Sequence, residues 1–175
     1  VYPDKHDLLE TYTYPPPIIA GDFIKNSTLG FDVYTLKNDS KKSERINEII
    51  TEIDNAFKFY HKVYPKITKK PKIIFLPIKN PSAKTLENAI VFDTELLNEK
   101  NPLQKRLIAH EVSHLWWGTG GITFDNHILT EGIAEYLALK YMSYIGEDKY
   151  VYNQNNAKLY HIEGDYELKK DEDGI

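Results

Sequence analysis

The 175-residue chain contains no cysteine, and its one methionine is Met142. Without thiols it can form neither a disulfide nor a thiolate metal site, so any metal must be held by histidine and carboxylate. Long hydrophobic runs are also missing. No stretch approaches the roughly 18 apolar residues that a membrane helix needs, so no membrane contact is expected within this chain. Positive charge is not in excess: 22 Lys and Arg against 26 Asp and Glu give a net charge of −4. With no basic stripe, nucleic acid is excluded as the expected partner. No secretory leader pattern opens the chain. It begins at Val1, so it reads as a processed product or a piece of a longer protein, and its cellular location is not legible. What is present is 41% hydrophobic residues, enough for one domain with a packed core.

Residues 1–20 read as irregular and end in Tyr14-Pro15-Pro16-Pro17, a stiff run without backbone donors. Asp22–Lys25 and Phe31–Leu36 read as strands, with turn signals at Gly21-Asp22 and Asn26-Ser27. Ile46, Ile49, Ile50, Ile53, Phe57 and Tyr60 recur at helical spacing, which predicts a helix over 44–63 with Ser43 as its cap. Lys72–Ile78 and Ala89–Phe92 read as buried strands. A helix is expected from Pro102 to about Trp117, closed by the turn Gly118-Thr119-Gly120-Gly121. Thr130 is the expected cap of a helix from Glu131 to about Ile145. A last helix is expected over 148–160, before a charged tail. Strands ahead of helices point to an α+β layout.

Residues 110–118 read HEVSHLWWG. On a helix, His110 and His114 share a face, so their imidazoles can meet one ion. Glu111 lies about 100° around the axis, where it can reach a water rather than join the ligands. A catalytic zinc needs a third protein ligand and an open position. Glu131 offers that ligand from the next helix, after sixteen intervening residues. The alternative is a helix with a solvated polar side. Against it, Leu107, Ile108, Val112 and Leu115 supply an apolar face, and buried His and Glu need partners.

The run His110-Glu111-Val112-Ser113-His114-Leu115-Trp116-Trp117-Gly118, followed by Glu131-Gly132-Ile133-Ala134-Glu135-Tyr136, resembles the signature of zinc aminopeptidases of the aminopeptidase N type. These are gluzincins with a thermolysin-like catalytic domain. The resemblance implies one Zn2+ on His110, His114 and Glu131, with Glu111 as general base. It also implies a thermolysin-like zincin fold, a mixed sheet followed by helices carrying the zinc site. Upstream, Leu86-Glu87-Asn88 is similar to the family's amine-binding Met-Glu-Asn. It implies that Glu87, with Asn88 beside it, binds the free amino group of a peptide substrate. Lys84 departs from the family's glycine and Leu86 from its methionine. The loop before Glu131 is two residues shorter than usual in the family.

Ile18–Phe23 is similar to the last strand of the family's N-terminal saddle domain. The expected organisation is therefore a linker or saddle-domain end over 1–23, the metallopeptidase domain over 24–165 without its C-terminal part, and a charged tail over 166–175. Flanking domains of a longer protein are implied partners. The family's oxyanion tyrosine lies further downstream than the residues left after Glu131, so none is assigned here.

Glu135 is read as a solvated helix position, with orientation of a ligand histidine as the alternative. Trp116 and Trp117 are read as core, and His6, His61 and His161 as surface residues. The resulting expectation is a zinc metallopeptidase, foremost an aminopeptidase. An endopeptidase or epoxide hydrolase on the same scaffold remains open, as does a non-catalytic zinc domain that binds peptides.

Overall fold

The computed structural model describes residues 19–78, 83–98, 103–118 and 127–147. The proline run, the helix expected over 148–160 and the charged tail lie outside the described residues. So do the expected saddle-domain stretch before residue 19 and the part of the metallopeptidase domain beyond residue 147.

Among the described residues, five strands form one mixed sheet: β1 Phe23–Thr28, β2 Phe31–Leu36, β3 Lys72–Leu76, β4 Ala83–Leu86 and β5 Ala89–Asp93. Their order is β1-β2-β3-β5-β4. The inner pairs β2–β3 and β3–β5 are parallel, and the edge strands β1 and β4 are antiparallel to their neighbours. Among the described residues, three α-helices accompany them: α1 Ser43–Tyr60, α2 Leu103–Ser113 and α3 His127–Tyr144. The α+β expectation therefore holds at the level of a mixed sheet with helices.

The sheet register explains the core. Val33 pairs with Ile73 and Ile73 with Ile90, while Thr35 pairs with Phe75 and Phe75 with Phe92. Alternate residues point to one face, so these side chains form two adjacent buried rows on it, and their apolar members join a core shared with α1, α2 and α3. β5, flanked on both sides, is buried on both faces, as its apolar run Ala89–Phe92 requires. Helix α1 buries Ile46, Ile49, Ile50, Ile53 and Phe57. Truncating Ile50 or Ile53 to alanine removes fully buried volume and is expected to cost about 2–5 kcal/mol.

Several boundaries differ from the sequence reading. β1 runs straight through Asn26-Ser27 and turns at Leu29-Gly30, where both residues have positive φ (51° and 79°). Such a left-handed pair matches strand twist in a two-residue hairpin. Ser43 does not cap α1. A 3-10 helix, Lys37–Lys42, runs directly into it, and Lys42 holds the cap position without a side-chain bond. The helix ends at Tyr60 rather than residue 63. β3 stops at Leu76, and the Ile78 N–H donates to Asp93 Oδ2 instead of a neighbouring strand (2.9 Å). β4, a short edge strand, was not expected as an element.

Candidate metal centre

Helix α2 ends at Ser113, four residues before the expected Trp117. Ser113 Oγ donates to the His110 carbonyl (2.7 Å), and the next amides bond three residues back, Leu115 to Val112 and Trp116 to Ser113. This tightened turn carries His114. Gly118 then takes φ of 106°, a conformation that disfavours side chains. A Cβ there would stand 2.5 Å from Thr130 Cγ2 and 3.3 Å from His114 Nδ1. The glycine thus permits α3 to approach the histidine turn. Helix α3 begins at His127, so Thr130 is not its cap and Glu131 sits in the second turn rather than the first.

These elements bring His110, His114 and Glu131 together. His110 Nε2 is 3.1 Å from Glu131 Oε2, His114 Nε2 is 3.6 Å from Glu131 Oε1, and the two Nε2 atoms are 3.2 Å apart. Zinc bonds of about 2.0–2.1 Å in tetrahedral geometry would space ligand atoms about 3.3 Å apart. The spacing and the donor types therefore fit one such ion. The outer nitrogens sharpen the fit. His114 Nδ1 lies 3.0 Å from the Trp117 carbonyl, which can only accept, so Nδ1 carries the proton. His110 Nδ1 lies 3.4 Å from Glu135 Oε2, which likewise favours a proton on Nδ1. In the neutral tautomers so favoured, two unprotonated Nε2 nitrogens face each other beside a carboxylate.

Glu135 is thus not a solvated position. It is 19% exposed at its side chain, accepts from Arg106 Nε at 2.7 Å, and also pairs with Arg106 Nη2. Metal-binding histidines commonly hand their second N–H to a carboxylate in this way. Burial disfavours the His110 imidazolium, but Glu135, Glu111 and Glu131 outweigh it and raise its pKa above the ordinary histidine value.

Glu111 is 6% exposed. Burial pushes its carboxyl pKa up. Thr85, His110 and His114 pull it down and Glu131 pushes it up, leaving a net rise. A raised carboxyl suits a base that must later act as an acid near neutral pH. Thr85 Oγ1 lies 2.8 Å from Glu111 Oε2. Thr85 and Arg106 belong to no motif; the packing of β4 and α3 on α2 reveals them. Beside Glu111 and His110 lies a hollow of about 410 Å³, walled by Ala83, Leu96, Leu103 and Leu107 on one part and by Gln104, Arg106 and Glu135 on another.

Glu87 and Asn88 form the turn between β4 and β5, and both are exposed. They line a second hollow of about 310 Å³ with Lys66, Lys69 and Leu115. Glu87 and Glu111 therefore border different hollows. Trp116 is buried and donates to the Pro65 carbonyl (2.8 Å), and Trp117 packs against the core, as expected. His61 is not a plain surface residue: its ring packs against Phe57 and Trp116, and Nε2 accepts from the Ile67 amide (3.0 Å). His6 and His161 lie outside the described residues.

Among models of known protein families and among curated proteins, none matches this chain.

Proposed function

We propose that this chain is a zinc metallopeptidase domain of thermolysin-like fold, acting foremost as an aminopeptidase. The observation that carries the reading is the convergence of His110 Nε2, His114 Nε2 and Glu131 at 3.1–3.6 Å, with each histidine's other nitrogen turned to an acceptor. A buried carboxyl next in sequence to the first histidine supports catalysis over a purely structural site, which has no use for a base.

His110, His114 and Glu131 would hold the ion. When bound, zinc supplies a Lewis acid that polarises a carbonyl and lowers the pKa of water. Glu111 takes a proton from the attacking water and returns one to the leaving amine. Burial of Glu111 raises its affinity for that proton and limits the access of bulk water to it. Glu87 holds the substrate's terminal ammonium, which directs cleavage to the first peptide bond. Leu96, Leu103 and Leu107 offer an apolar wall to a neighbouring side chain.

A second reading, an endopeptidase on the same scaffold, is favoured by one observation: Glu87 is exposed and borders a different hollow from Glu111.

The test is zinc titration of the metal-free protein and its His114→Ala variant, with peptide hydrolysis by the full-length protein and its Glu111→Gln variant. The expected result is about one zinc per chain in the parent, a large loss in His114→Ala, and zinc without hydrolysis in Glu111→Gln. Equal zinc in parent and His114→Ala would sink the ligand assignment.

A further inference from the structure

Thr85 lies on the edge strand β4, with its side chain buried toward α2. Its hydroxyl oxygen stands 2.8 Å from Glu111 Oε2 and 2.7 Å from the Glu111 main-chain carbonyl. Packing alone does not call for a hydroxyl there. Valine has the same shape and carries no polar atom to desolvate. What the hydroxyl adds is its contact with Glu111.

A hydroxyl has one proton and two lone pairs. Facing a carboxylate, Thr85 donates to Oε2. Facing a carboxyl protonated on Oε2, it accepts a hydrogen bond from that O–H and turns its own proton toward the carbonyl. One side chain can therefore hold Glu111 before and after proton uptake. Glutamate ends in freely rotating bonds, and a general base must stay within about 2.6–3.2 Å of the proton it takes. Displacement of about 1 Å can cost on the order of 100-fold in rate.

We propose that Thr85 is a positioning residue that fixes the orientation of the Glu111 carboxyl group and ties the general base to the edge strand. The catalytic part of this rests on the peptidase reading above, whereas the orienting contact does not.

The experiment compares parent, Thr85→Val and Thr85→Ser. In the metal-free protein, the side-chain carboxyl ¹³C resonance of Glu111 is assigned by its disappearance in Glu111→Gln. It is expected to move in Thr85→Val and to stay near the parent position in Thr85→Ser. Zinc affinity is expected to be unchanged in both, because the ligands are untouched. In peptide hydrolysis, kcat is expected to fall about 10-fold in Thr85→Val at unchanged KM, with Thr85→Ser restoring it. An unmoved resonance together with parent kcat in Thr85→Val overturns the proposal. Equal losses of kcat and thermal stability in Val and Ser variants also overturn it, because they mark a packing role. A full-length parent that binds zinc but cleaves no peptide defeats the peptidase reading instead. The carboxyl resonance then decides the orienting contact by itself, and an unmoved signal overturns it.

Discussion

Arg106 and Glu135 meet across the α2–α3 contact. Arg106 Nε donates to Glu135 Oε1 at 2.7 Å, while the other carboxylate oxygen faces His110 Nδ1 at 3.4 Å. Arg106 precedes His110 by one helical turn, so a single helix presents both the histidine and the cation that steadies its partner. The guanidinium fixes the carboxylate, and the carboxylate favours the tautomer whose Nε2 is turned to His114 and Glu131.

Breaking this relay should weaken metal binding while leaving all three proposed ligands in place. Glu135→Gln is expected to lower zinc affinity by about 10- to 100-fold, the usual range for an outer carboxylate. Arg106→Met should lower it less, since Glu135 would remain. Competition titration with a chelator of known affinity measures both. Parent affinity in Glu135→Gln would reduce the contact to an ordinary ion pair between helices.

The exposed position of Glu87 sets the size of its expected effect. A solvated carboxylate–ammonium contact contributes roughly 1 kcal/mol, which is about fivefold in rate. Glu87→Ala should therefore lower kcat/KM for a peptide with a free N-terminus by about 3- to 10-fold. The N-acetylated peptide should be a poor substrate of the parent and little changed in the variant. Equal cleavage of the two peptides by the parent would favour the endopeptidase.

Far from the proposed metal, Asp54 gives a prediction about pH. Its side chain is 5% exposed on α1 and meets Lys58 and Lys70, each at 2.6 Å. Burial pushes its carboxyl pKa up, but the two lysines outweigh it and hold the group below its ordinary value. A carboxyl depressed on folding adds stability above its unfolded pKa of about 3.9, and that contribution is lost as pH falls through the folded value. Asp54→Asn is expected to be less stable than the parent by about 1–3 kcal/mol at neutral pH. The gap should stay constant down to about pH 5 and close below about pH 4. Urea unfolding at a series of pH values reads this directly. A gap that persists unchanged at pH 2–3 would mean that packing, not charge, is responsible.

Much of the scaffold was legible because its signals are local. The isoleucines of α1 repeat at helical spacing, and Ala89–Phe92 of β5 is an unbroken apolar run. The neighbourhood of His110, His114 and Glu131 was legible too, since a turn of helix suffices to align two histidines. Helix ends were not. Ser113 bonds back to the His110 carbonyl and shortens α2, and α3 starts at His127, so Glu131 reaches the site from a second turn. Those outcomes depend on how two helices meet. Thr85 and Arg106 carry no motif of their own. Thr85 reaches Glu111 from 26 residues away, and Arg106 reaches Glu135 from 29. Sequence spacing identified which residue types could gather at one point. Tertiary packing decided which carboxylate turns to which nitrogen, because hydrogen bonds between distant segments follow the relative placement of strand and helices.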